Sequence, residues 1–165
     1  MKPIIYIMGV SGCGKTTIGN LLSSQTGIPF FDGDDFHPAA NKAKMEKGIP
    51  LNDQDRAGWL EAIHEKAVEE SQKSGAIIAC SALKEKYRDS LSANMEHAVH
   101  WVFLRGDFAT IYDRMKQRKD HFMPASLLRS QYDILEEPDN ALFEDISQPA
   151  EAIVADILKK LKLSA

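Results

Sequence analysis

Residues Gly9-Val10-Ser11-Gly12-Cys13-Gly14-Lys15-Thr16 spell G-x-x-x-x-G-K-[ST], directly behind the apolar run Ile4-Ile5-Tyr6-Ile7-Met8. Few patterns restrict a fold so tightly. A buried strand must feed a glycine-rich turn, and a helix must start where the turn ends. Glycines let successive backbone N–H groups curl inward around an anion, and the helix presents its positive end to the same anion. The chain is therefore expected to bind a nucleoside triphosphate, ATP, through Gly9, Val10, Ser11, Gly12, Cys13, Gly14, Lys15, Thr16 and Thr17. Lys15 is the residue that reaches the β- and γ-phosphates, and the Thr16 hydroxyl is the expected ligand of a Mg2+ ion.

The rest of the chain alternates strand and helix patterns. A helix is predicted over 15–25, closed by Gly27, then a short strand at Pro29-Phe30-Phe31 and the polar cluster Asp32-Gly33-Asp34-Asp35-Phe36-His37-Pro38. A short helix over 39–47 follows, and Asn52 or Asp53 caps a long helix to about Ser74, with Leu60, Ile63 and Ala67 on one face. Strands are predicted at Ala76–Cys80 and Val99–Leu104, with a helix over 84–94 between them. A helix from about Asp107 runs into a basic segment, Arg114–His121. Pro124 falls in the first turn of the next helix, which stops before Pro138. A weak strand at Phe143–Ile146 and a closing helix opened by Pro149 complete the chain. This order predicts an α/β fold with three layers, a parallel and mostly five-stranded sheet covered by helices on both faces. Ligands then gather at the carboxyl ends of the strands, where the phosphate loop, the Asp cluster and Ser81–Arg88 all fall.

With 165 residues the chain fits a single domain, and its net charge of −4 argues against a general nucleic-acid surface. No apolar run approaches the length of about 18 residues that spans a bilayer, and the few apolar residues ahead of Gly9 are too short for a secretory signal core. A cytoplasmic location is expected, with Cys13 and Cys80 as thiols and Cys13 a small filler within the loop.

Several functional classes drop out. The chain has no Asn-Lys-x-Asp guanine-reading motif and no Leu-Ser-Gly-Gly-Gln transporter signature, and it is too short for a motor domain. Three further segments carry more information. They are Asp32-Gly-Asp34 with His37-Pro38 and Asn41-x-x-Lys44-Met45; Gly48-Ile-Pro-Leu-Asn-Asp-Gln-Asp-Arg56 with Trp59-Leu60; and Cys80-Ser-Ala-Leu-Lys84-x-x-Tyr87-Arg88-Asp89. With Gly106-Asp-Phe108, Arg114, Arg118 and His121-Phe122, they closely resemble the gluconate kinase family, a branch near the shikimate kinases. The likeness covers nearly the whole chain; Asp35 departs from it by adding a charge.

That resemblance implies a P-loop kinase fold with a mobile lid at about 114–124. It implies transfer of the γ-phosphoryl group of ATP to the 6-hydroxyl of D-gluconate, and a homodimer by analogy. A sugar acid needs a cation for its carboxylate, for which Arg56, Lys84 and Arg88 are the candidates. His37 and Lys44 are candidates for its hydroxyls, and His121 is a further candidate for binding the substrate. Asp34 is expected to orient the attacking oxygen, with Asp32 beside it holding metal-bound water; an aspartate capping the next turn is the plainer alternative for Asp34. Arg114 and Arg118, four residues apart on a helix, are expected at the nucleotide, with Arg118 on the transferring phosphates; a basic helix end favoured by its dipole is the alternative. Gln148-Pro149 is expected to border the adenine. Two other functions remain open from the residues: a kinase for a different small acid such as shikimate, and a nucleotide-switched binding module.

Overall fold

Ile4–Met8 forms the first strand, β1, and all five of its side chains are buried. A strand buried on both faces belongs inside a parallel sheet. In this computed structural model, which describes residues 1–117 and 124–163, β1 holds the centre of five strands. The others are β2 (Phe30–Asp32), β3 (Ala76–Ala79), β4 (Val99–Arg105) and β5 (Leu142–Asp145). Their order is β2-β3-β1-β4-β5, and every pairing is parallel. The expected fold class is the one found.

Seven helices among the described residues cover the sheet: α1 (Lys15–Thr26), α2 (Ala39–Glu46), α3 (Asp53–Ser71), α4 (Glu85–Ser92), α5 (Phe108–Lys116), α6 (Ala125–Ile134) and α7 (Ala150–Lys160). The alternation of β1 divides the core in two. Ile5 and Ile7 pack with Ile18 and Leu22 of α1, Ile111 of α5, Leu128 of α6 and Ile153 of α7. Ile4, Tyr6 and Met8 pack on the other face with Trp59 and Ile63 of α3 and Tyr87 and Leu91 of α4. Trp59 and Ile63 are core residues.

Several boundaries differ from expectation, each for a local reason. β2 begins one residue late and includes Asp32, because Phe30 and Asp32 pair with Ile77 and Ala79 of β3. The long helix stops at Ser71, before the predicted Ser74, and the Gly75 N–H returns to the Glu70 carbonyl at 2.8 Å. Pro124 stands just outside α6 as its cap rather than inside the first turn, while Pro149 opens α7 from the same cap position. Of the two caps expected for α3, Asn52 takes the role: it exchanges hydrogen bonds with Asp55 in a capping box.

Candidate active site

The phosphate loop takes its shape from its own backbone. Gly14 caps α1 at φ 102° and ψ 18°, a left-handed conformation in which a side chain is strained, although nothing lies within 4 Å of where its Cβ would stand. Its glycine is therefore a requirement of geometry rather than of space. The turn leaves the first amides of α1 without partners inside the helix and open to an anion. Lys15 folds back, its Nζ donating to the carbonyls of Gly9 and Val10 at 3.0 Å each, 4.0 Å from Cys13 Sγ. The ammonium thus braces the loop at its inner rim.

Beside the loop, Thr16 Oγ1 donates to Asp32 Oδ2 across 3.3 Å. The two residues expected at a metal ion are brought together from α1 and the end of β2. The other carboxylate oxygen of Asp32, Oδ1, accepts the Asp34 N–H at 3.0 Å and caps a 3-10 turn over Gly33–Phe36. Strand geometry therefore does not run on through Gly33, and this turn sets the relation of Asp34 to Asp32. Gly33 is held tightly. A Cβ there would stand 2.4 Å from the Ala79 carbonyl oxygen, and the buried Trp59 donates Nε1–H to the Gly33 carbonyl at 2.8 Å. Asp34 is exposed on this fixed turn, whose N-cap is Asp32.

Four of the expected substrate residues lie along one polar network joining α2, α3 and α4. His37 is buried and stacks on Trp59, ring centroids 4.3 Å apart at 9°. Asn41 Nδ2 faces both the Asp55 carbonyl, at 2.8 Å, and His37 Nδ1, at 3.1 Å. An amide nitrogen only donates, so Nδ1 accepts and the ring proton sits on Nε2. Burial, with Arg56 and Lys42 nearby, brings the His37 pKa down to about 4, so the ring is neutral at physiological pH. Lys44 pairs with Asp55 at 2.8 Å. Arg56 donates Nη1 to the Leu51 carbonyl at 2.8 Å and to the Tyr87 hydroxyl at 3.0 Å. Lys84 meets Asp53 at 3.3 Å, and Lys86 and the Tyr87 hydroxyl bond to the same carboxylate. Those bonds to Lys86 and Tyr87 hold the Asp53 carboxyl well below the usual range.

Arg88 lies apart from this group. Its guanidinium is buried and donates to the carbonyls of Ala82 at 2.7 Å and Glu136 at 2.8 Å, clamping the loop after β3 to the segment after α6.

On the other side of the phosphate loop, a cleft of about 400 Å³ is lined by Gly12, Cys13, Gly14, Thr17, Arg114 and Gln148, among others. Arg114 and Gln148 thus share one cleft with the loop; Pro149, between the lining residues Gln148 and Ala150, caps α7. Arg114 Nη2 donates to the Ile146 carbonyl at 2.6 Å. A wider groove of about 660 Å³ follows the ends of β4 and β5 and meets the expected site residues only at Val10. Of the segment expected to form a lid, Arg114–Lys116 is the last turn of α5. Arg118 and His121 lie outside the described residues.

Three participants were not expected from sequence. Asp53 and Asp55 hold the lysines, and the Asn52…Asp55 spacing of the capping box was the signal available for one of them. Gln131 of α6 reaches Ser11 in the phosphate loop, and no local pattern marks it. Among the described residues, no group of three or more His, Cys, Asp or Glu side chains forms a metal cage. A hydroxyl and a carboxylate at the loop mouth instead suit an ion that keeps most of its waters. No helix among those residues is long and apolar enough to cross a membrane.

Comparison with known proteins agrees with this geometry. The shikimate kinase family profile matches residues 11–162. The thermosensitive gluconokinase of Escherichia coli is 47% identical over 133 residues, covering 80% of this chain and 71% of that protein. A probable gluconokinase of Dictyostelium discoideum is 43% identical over 174 residues, covering 98% and 87%. The crystal structure of a gluconokinase from Sinorhizobium meliloti superposes with a TM-score of 0.89 at 40% identity, covering 97% of this chain and 91% of that one. The chain is a kinase of the shikimate kinase fold and belongs to the gluconokinase family.

Proposed function

We propose that the protein transfers the γ-phosphoryl group of ATP to the 6-hydroxyl of D-gluconate, giving 6-phospho-D-gluconate and ADP. The observation that carries this reading is the Thr16–Asp32 contact beside the amide-lined loop, with Asp34 on the adjoining rigid turn. Lys15 and the loop amides hold the triphosphate, while Arg114 and Gln148 line the cleft for the base. Thr16 and Asp32 suit Mg2+, which when bound neutralises phosphate charge. Asp34 accepts the hydrogen bond of the attacking hydroxyl and fixes it in line. Phosphoryl transfer is loose, so this positioning counts for more than strong basicity. His37 Nε2–H is a neutral donor suited to a polyol hydroxyl, and Lys84 is the cation best suited to the carboxylate, in exchange for Asp53. The buried Arg88 supports the wall instead. The relatives from Escherichia coli and Dictyostelium discoideum, both named as gluconokinases, support the choice of acceptor. A panel of sugar acids and shikimate, followed by coupled ADP release, tests the reading: gluconate gives the highest kcat/KM, and a higher value for shikimate overturns it.

A further inference from the structure

We infer that Gln131 is a positioning residue that aims the Ser11 hydroxyl at the terminal phosphate, so that the loop distinguishes a triphosphate from a diphosphate. The inference rests on the nucleotide site proposed above and adds a group to it. Gln131 Oε1 accepts the Ser11 N–H at 2.8 Å, and Gln131 Nε2 donates to Ser11 Oγ at 3.0 Å. One carboxamide thus engages the backbone N–H and the hydroxyl of one serine, 120 residues away in the chain.

The polarity of that pair decides where the serine proton goes. Because the backbone N–H can only donate, the atom facing it is the carbonyl oxygen, and the NH2 group faces Oγ. A serine oxygen that accepts from an amide keeps its own hydrogen for another acceptor. Ser11 therefore turns its O–H away from Gln131. The neighbouring residue, Val10, already receives Lys15 Nζ at 3.0 Å, the ammonium that serves the β- and γ-phosphates. On this reading the donor hydroxyl, one residue further along the loop, meets the γ-phosphate. ADP has no phosphate there.

The helix carrying Gln131 is fixed well enough to hold this aim. Leu127 and Leu128 are buried, the Tyr132 hydroxyl donates to the Gly106 carbonyl at 2.7 Å, and the Arg129 guanidinium lies 4.1 Å from the centre of the Phe108 ring.

The test is nucleotide binding without any acceptor, using ADP and a non-hydrolysable ATP analogue with Mg2+, on the full chain and on Ser11→Ala, Gln131→Met and the double variant. Each single variant weakens the analogue about tenfold, the scale of one hydrogen bond to a charged group, and changes ADP less than twofold. The double variant is no worse than either single one. Gln131→Glu, whose carboxylate draws the serine proton back, weakens the analogue further still. Equal weakening of both nucleotides in Ser11→Ala and Gln131→Met overturns the inference, as does a double variant whose losses multiply. If gluconate proves to be the wrong acceptor, these binding results stand unaffected. Should Gln131→Met not fold, Ser11→Ala and Gln131→Glu alone decide the outcome by the same nucleotide ratio.

Discussion

Thr16 and Asp32 meet across 3.3 Å, and that contact ties the first turn of α1 to the end of β2. It places a hydroxyl and a carboxylate oxygen at one corner of the phosphate loop, where hard-oxygen donors suit Mg2+. Asp32→Asn should therefore raise the Mg2+ concentration for half-maximal activity by about 10- to 100-fold, as loss of an outer-shell partner does. Asp32→Ala should lose in addition about 1 kcal/mol of stability with the cap of the 3-10 turn. A Mg2+ titration of initial rates and a urea melt separate the two effects. An unchanged Mg2+ requirement in Asp32→Asn would remove the ion from this corner.

Asp34 stands on a turn that is held from three sides by Asp32, Ala79 and Trp59. Its replacement should therefore change chemistry rather than fold. Asp34→Asn is expected to lower kcat by about 10²- to 10⁴-fold, the usual worth of a positioned acid–base group. The KM for ATP should move little. Steady-state kinetics with both substrates varied will check this, and a kcat within a few-fold of the parent contradicts the role.

Arg88 gives a contrasting expectation. Its guanidinium satisfies two carbonyls inside the protein, so Arg88→Leu orphans both and should cost about 2 kcal/mol or more. The KM values for gluconate and ATP should rise together, with Arg88→Lys partly restoring stability. A rise confined to gluconate would return Arg88 to the substrate carboxylate.

Two buried groups pull stability in opposite directions with pH. His37 stays neutral in the fold down to about 4, whereas its ordinary value is 6.5. The unfolded chain holds the extra proton between those values, so this group lowers stability as pH falls through the window. Glu144 is pushed up to about 7 by burial and by its hydrogen bond with Asp156, from an ordinary 4.5. Here the folded chain holds the extra proton, so stability is lost as pH rises from 4.5 to 7. Urea midpoints at pH 7.5 and pH 5 should show His37→Phe losing less stability on acidification than the parent, and Glu144→Gln losing more. Parallel changes in all three would contradict both assignments.

The sheet and its nucleotide edge were legible because they depend on local signals. The apolar run before Gly9, the glycine spacing and the regular helix stops each act within a few residues. Asp32 could be placed near the loop because parallel topology brings strand ends to one edge; Thr16 belongs to the loop motif, and Arg114 and Gln148 were placed by the family resemblance. What the chain does not announce is partnership at long range. Arg56, Arg88, Lys44 and Lys84 all read as cations free for a substrate, yet the fold gives each an internal acceptor. Charge type is visible in sequence; the acceptor that satisfies it, 48 residues away for Arg88 and the Glu136 carbonyl, is not. Gln131 escaped for the same reason, since its contact with Ser11 spans 120 residues.

Phosphorus NMR of a reaction containing the protein, ATP, Mg2+ and D-gluconate tests the account most directly, because it reports the reaction and its position together. A phosphomonoester signal split by two methylene protons, growing in step with ADP and absent with Lys15→Ala, is the predicted result. A signal coupled to a single proton, or inorganic phosphate alone beside ADP, would contradict transfer to the terminal hydroxyl.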